Sequence, residues 1–281
     1  MRTVPMSSTA VRARDLVLGY RTGVAMGPSS FEIPAGRVTA VIGPNGSGKS
    51  TLLSAIAGLI EPIGGTLEVA AAVGGSGRIA YVLQTTKVNE ALPITVREVV
   101  AMGRYARAGW YHRLGPDDRA ALADAMDRTG ITTLAGRQIH HLSGGQRQRV
   151  YVAQGLVQDH DLLLLDEPLT GIDLPTAKAI DRIIHEETTR GCTVVLTTHD
   201  LTEARAADHT ILLSGAVIAE GSPDHVLSSE NLVRAYGSAL LHLDDEGAVV
   251  LDDAAHRPVA GRHVHRSTED TATTPSEGGS P

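Results

Sequence analysis

The chain has 281 residues, 42% of them hydrophobic and 20% charged, enough to bury a sizeable core as one large domain or a domain with an inserted lobe. Its net charge of -7 denies nucleic acid any global attraction, because that binding leans on Lys and Arg neutralising phosphates. The single cysteine, Cys192, excludes an internal disulfide framework and fits a reducing compartment.

The opening MRTVPMSSTAVRARD lacks the apolar run of a secretory signal, and no later stretch reaches the ~20 apolar residues of a membrane span. The expectation is a chain that works at a membrane only when another chain holds it there. From Val11 to Ile33, short apolar segments broken by Gly19, Gly23, Gly27 and Pro34 predict antiparallel strands and turns. RVTAVIG then reads as a buried strand running into GPNGSGKSTLLSAIAGLI, whose Leu52, Leu53, Ile56, Ala57 and Ile60 recur at helical spacing. GTLEVA and RIAYVLQ are further strand patterns around a glycine-rich loop, AVGGSG. The pattern turns helical from about Val96 to Gly130, and Asp117 and Asp118 sit in a first turn, where the helix dipole favours acids.

DLLLLDE and CTVVLTTHD follow as strands separated by a helix with the apolar stripe Ile180, Ile183 and Ile184. That alternation implies a parallel sheet covered by helices. HTILLS, GAVIAEG and a helix at NLVRAYG close the globular part near Gly237. Beyond it, SALLHLDDEGAVVLDDAAHRPV predicts a hairpin, and GRHVHRSTEDTATTPSEGGSP a polar, disordered tail.

Gly43, four residues, then Gly48, Lys49 and Ser50 fit the pattern G-x-x-x-x-G-K-[ST] between a strand and a helix. Glycines let successive N–H groups converge on phosphates, and the helix N-terminus adds positive potential. The run Gly43, Pro44, Asn45, Gly46, Ser47, Gly48, Lys49, Ser50 and Thr51 is thus a candidate phosphate cradle, with Lys49 reaching the β- and γ-phosphates and Ser50 on Mg²⁺. Strands of an open α/β sheet gather ligands at their carboxyl ends, which brings Asp166 and Glu167 beside that loop. Asp166 is the candidate magnesium holder, and Glu167 the group that orients or deprotonates the attacking water. His199, ending TVVLTT, is placed to donate to a γ-phosphate oxygen, and Gln84 to touch magnesium and water.

These motifs, with LSGGQ at Leu142 to Gln146, resemble in content and order the ATP-binding subunits of ABC transporters across about residues 11 to 237. The resemblance implies an α/β P-loop NTPase core with a mainly parallel sheet, an N-terminal antiparallel β subdomain and a helical subdomain inserted at about residues 85–150. A C-terminal extension, partly disordered, follows at 238–281. It also implies that Tyr20 stacks on adenine, that Asp173 belongs to the D-loop, and that Ser143, Gly144, Gly145 and Gln146 bind the γ-phosphate held by a second subunit. Two ATP molecules are then enclosed at a head-to-tail homodimer interface. The local reading of LSGGQRQRV is an N-capped surface helix with Arg147 and Arg149 in solvent.

In the helical insert, Arg104, Arg107 and Arg113 interleave with Tyr105, Trp110 and Tyr111. The acidic total argues against a nucleic-acid patch and for a docking surface. LPITVREVVAMGRY and EPLTGIDLPT look like the ATPases of manganese, zinc and iron importers, which favour Thr-Gly-aliphatic-Asp where many relatives have Ser-Ala-Leu-Asp. That resemblance implies a peripheral subunit on the cytoplasmic face of the cell membrane, coupled to a separate permease and indirectly to a solute-binding protein. Thr85 to Arg104 form the expected coupling contact. Alternatives are an importer of chelated iron, an exporter, or a soluble ABC ATPase working on ribosomes or DNA. His242, His256, His263 and His265 raise the possibility of a zinc sensor in the tail, against which stands a plain solvated tail without fixed ligand geometry.

Overall fold

The computed structural model describes residues 9–21, 23–70, 78–84, 93–108 and 114–237, apart from the side chains of 106–108, and the backbone of 241–243 and 249–251. The AVGGSG loop, the first part of the expected coupling segment and the histidine tail therefore lie outside the described residues, as do Trp110, Tyr111 and Arg113.

Strands β1 (Thr9–Tyr20) and β2 (Gly23–Pro34) form a long antiparallel pair. Each runs for 12 residues, so the glycines do not chop this region into short strands as the sequence pattern suggests. Shifts of register between Leu16 and Leu18, and between Leu18 and Gly19, absorb the irregularity as bulges while the ladder continues. Next come β3 (Val38–Ile42), α1 (Lys49–Ile56), β4 (Gly64–Val69) and β5 (Ile79–Val82). Strand β4 pairs with β1, giving an antiparallel sheet of order β2-β1-β4.

Helices α2 (Val96–Ala108), α3 (Pro116–Arg128) and α4 (Gly144–Leu156) precede β6 (Leu162–Leu165), α5 (Leu174–Thr189), β7 (Thr193–Thr198), α6 (Leu201–Ala206), β8 (His209–Leu213) and β9 (Val217–Gly221). The second sheet has order β5-β6-β7-β3-β8-β9 and is parallel except at β9. Its two faces explain the unbroken LLLL of β6. Leu163 and Leu165 join Val194, Leu196 and the α5 stripe Ile180, Ile183 and Ile184, whereas Leu162 and Leu164 join α1 and the antiparallel sheet. A strand covered on both faces has no polar side to alternate with.

The three helices α2, α3 and α4 share their own apolar cluster, including Val100, Met126 and Val150. Arg104 serves that lobe from within. It is 7% exposed, and its guanidinium donates to Asp118 at 2.8 Å, to the Val157 carbonyl at 3.0 Å and to Asp159 at 3.1 Å. It is therefore withdrawn from the basic surface that the sequence spacing suggested. After β9 come α7 (Pro223–Val226), begun by Pro223 as its fixed φ favours, and α8 (Ser229–Tyr236). The hairpin expected beyond Gly237 is present as β10 (Leu241–Leu243) paired antiparallel with β11 (Val249–Leu251).

Candidate nucleotide-binding site

The loop from Gly43 to Gly48 leaves β3 and delivers the chain into α1. A Cβ on Gly43 would lie 1.9 Å from the Leu213 carbonyl oxygen, so this position admits no side chain. Gly48 caps α1 at φ 105, in the left-handed region that glycine tolerates. Lys49 is folded back over the loop, donating from Nζ to the carbonyls of Gly43 at 2.8 Å and Pro44 at 3.2 Å. Burial pushes its ammonium pKa down, a push that Glu167 and Asp166 oppose. Ser47 Oγ is buried with no hydrogen-bond partner among the described residues, while Asn45 and Gly46 are exposed at the crown. A poorly hydrated cation, an orphaned hydroxyl and a free helix N-terminus together suit a polyanion.

The carboxylates sit at the ends of the parallel strands. Asp166 extends the β6 ladder through its N–H to the Val82 carbonyl at 2.9 Å, and its side chain is buried. Its Oδ1 accepts from Ser50 Oγ at 3.1 Å and from Thr197 Oγ1 at 2.6 Å. The same Thr197 oxygen accepts the Glu167 N–H at 2.8 Å, and Gln84 Nε2 donates to Glu167 Oε2 at 2.8 Å. Glu167 holds φ 47, uncommon for a residue with a Cβ and tolerated here because both its backbone and its carboxylate are anchored. Four chain segments thus meet in one hydrogen-bonded chain: the start of α1 and the ends of β5, β6 and β7. The oxygens of Ser50, Asp166 and Gln84 are hard donors of the kind Mg²⁺ takes, so the residues present fit that ion.

Tyr20 is 53% exposed at the end of β1, with its hydroxyl 3.5 Å from Thr51 Oγ1 at the head of α1. His199 is half-buried between β7 and α6, where Asp200 caps α6 by accepting the Thr202 N–H at 2.6 Å. Behind it, burial raises the Glu203 carboxyl pKa. Ser143 caps α4 in a reciprocal box: its Oγ accepts the Gln146 N–H at 3.3 Å, and Gln146 Oε1 accepts the Ser143 N–H at 3.1 Å. Ser143 and Gly144 are exposed, and a Cβ on Gly145 would meet Asp173 Oδ1 at 3.1 Å, so the heads of α4 and α5 lie together. Among the described residues no hydrogen bond joins residues 143–146 to residues 43–51. Arg149 is not free in solvent, since it donates to the carbonyls of Thr129 and Gly130 at the end of α3.

The family model described as ABC transporter matches residues 26–170. The chain belongs to the ABC transporter family. It is 40% identical over 243 residues to the zinc transport system ATP-binding protein TroB of Treponema pallidum (strain Nichols), covering 85% of this chain and 91% of that one. Identity is 36% over 251 residues with the chelated iron transport system membrane protein YfeB of Yersinia pestis, covering 87% and 85%. With the manganese transport system ATP-binding protein MntA of Synechocystis sp. it is 35% over 219 residues, covering 76% and 84%. Among solved structures, a chain of an ABC transporter in an inward-facing conformation superposes with TM-score 0.74 and 29% identity, over 89% of this chain and 99% of that one. The dimeric ATP-binding cassette MJ0796 bound to ADP and Pi gives TM-score 0.66 and 25% identity, over 76% and 98%.

Sequence reasoning missed one residue of this ABC cassette, Thr197, which ties Asp166 to Glu167. Its signal was present: once β6 and β7 are read as parallel neighbours with Leu165 opposite Leu196, Thr197 falls beside Asp166. Thr197→Val keeps the shape and removes both bonds, leaving a buried carboxylate and an N–H short of a partner. The expected cost is about 2 kcal/mol, read as a lower Tm by calorimetry together with slower ATP turnover.

Proposed function

We propose that this chain is the ATP-hydrolysing subunit of an importer for a divalent metal ion, zinc or manganese. It docks peripherally on the cytoplasmic face of the cell membrane through a separate permease that is supplied by a solute-binding protein. The observation that carries the hydrolytic part is the bonded chain Ser50, Asp166, Thr197, Glu167 and Gln84 beside the buried Lys49. The cargo rests on the names of the relatives, and the peripheral placement agrees with the absence, among the described residues, of a helix long and apolar enough to cross a membrane.

In this reading Tyr20 stacks on adenine, the N–H groups from Gly46 to Thr51 wrap the phosphates, and Lys49 leaves its two carbonyls to meet the β- and γ-oxygens. Ser50, Asp166 and Gln84 hold Mg²⁺, which when bound neutralises phosphate charge. Glu167 accepts a proton from the attacking water, Gln84 steers that carboxylate, and His199 donates to the γ-phosphate. Ser143, Gly144, Gly145 and Gln146 close over the nucleotide of a second copy, with Asp173 at the same interface. Residues 11–237 constitute the cassette, about 85–150 its helical lobe and 238–281 an extension. The permease grips the lobe between Thr85 and Arg104.

Reconstitution with the permease in vesicles, followed by ATP-dependent uptake of radiolabelled Zn²⁺ and Mn²⁺, tests the cargo. Uptake of at least one of them is expected. Uptake of an iron chelate alone would instead support the second reading, which the similarity to YfeB favours. ATP turnover with no uptake of any of the three would refute import while leaving hydrolysis intact.

A further inference from the structure

At the N-terminal ends of β6 and β7, the end of the parallel sheet opposite the nucleotide site, three potential ligands meet. His160 lies two residues before β6, Cys192 immediately before β7, and Glu187 near the end of α5. Their donor atoms all lie within 4.8 Å of one another, and the side chains of His160 and Glu187 are 5% and 6% exposed. Cys192 is likewise buried. We infer that His160, Glu187 and Cys192 form a binding site for a zinc-class divalent ion, separate from the site for ATP and independent of the transport reading.

The geometry is close to what such an ion requires. Bonds of about 2.0–2.3 Å at tetrahedral angles put neighbouring donors about 3.3–3.6 Å apart. His160 Nε2 and Glu187 Oε2 are already 3.1 Å apart, so the sulfur needs to move by at most about 1.2–1.5 Å. Orientation is also prepared. His160 Nδ1 is 2.7 Å from the Gln158 carbonyl, an acceptor only, so Nδ1 carries the hydrogen and Nε2 is the atom offered inward. Metal-bound imidazoles are commonly held by such an outer bond.

Glu187 divides its two oxygens. Oε1 accepts from Arg128 at 2.6 Å and Arg190 at 3.2 Å, while Oε2 faces His160. An ion can take Oε2 and leave the arginine contacts in place, and Arg128 also donates to Glu186 at 3.1 Å. One thiolate and one carboxylate balance a divalent charge, with water as the fourth ligand. A metal takes the imidazole neutral and the sulfur as thiolate, so any proton those donors carry leaves to solvent on binding, and nothing is oxidised or reduced.

The test uses the full-length protein and Co²⁺, a spectroscopic substitute for Zn²⁺. A thiolate-to-cobalt charge-transfer band can arise only from Cys192, the one cysteine in the chain, so histidines of the tail cannot counterfeit it. The wild type is expected to show this band, to lose it on adding Zn²⁺, and to gain Tm with Zn²⁺. Cys192→Ser should abolish the band and the Tm gain at unchanged basal ATPase, and His160→Gln should weaken Co²⁺ binding by about tenfold or more. No band in folded wild type, or a band of equal affinity in folded His160→Gln, would overturn the site and leave the trio as an ion-pair strap.

Discussion

Glu167→Gln is expected to lower ATP turnover by about 10²- to 10⁴-fold while nucleotide binding persists. The substitution is nearly isosteric, and its amide oxygen can still accept the bond that Gln84 Nε2 now gives to Oε2 at 2.8 Å. The main-chain bond to Thr197 Oγ1 and the φ of 47 do not depend on the side chain's charge. What disappears is the proton acceptor. The proposed cycle then stops with ATP bound, and copies joined by ATP accumulate as a dimer because nothing breaks the γ-phosphate bond that holds them. Phosphate release measures the first effect, and size exclusion with ATP the second. Turnover at the wild-type rate would refute the role given to Glu167, and the Ser50–Asp166 contact would remain as a phosphate-binding feature without chemistry.

What could be read in advance divides by the range of the interaction. The strand, loop and helix from Val38 to Ile56 were legible because each signal is local: an apolar run, glycines at fixed spacing, then a 3.6-residue period. The unbroken leucines of β6 were legible for the same reason, since a strand buried on both faces has one composition. Arg104 was misplaced because its basic neighbours are adjacent in sequence, whereas its partners Asp118 and Asp159 are 14 and 55 residues away. Arg149 was read as solvent-facing for a similar reason: the carbonyls that hold it close a different helix. Thr197 required the register of two strands, a long-range quantity that a single strand does not encode. The trio His160, Glu187 and Cys192 required that register and the end of α5 as well.

Ser143→Asp separates the two tasks open to that residue. As a helix cap, aspartate is about as good as serine, so a residue that only caps α4 should tolerate the change with stability altered by a few tenths of a kcal/mol. The reciprocal bond from the Ser143 N–H to Gln146 is a backbone contact and survives. Against a γ-phosphate of the facing copy, the new carboxylate is a like charge. At about 4 Å and an effective dielectric constant near 20, one pair of unit charges costs about 4 kcal/mol, or about 10³-fold in the closed dimer. The mutated chain should therefore keep its Tm and bind ATP at its own loop, yet lose ATP-driven dimerisation and turnover by about that factor. Ser143→Ala offers the contrast: it loses about 1 kcal/mol of cap and one hydroxyl, and its turnover should fall less. Gly145 is unsuited to the same question, because a side chain there would press on Asp173 and Thr176 and confuse contact with repulsion. If Ser143→Asp hydrolyses ATP as the wild type does, no phosphate approaches the head of α4 during turnover, and each copy must work on the nucleotide it holds by itself.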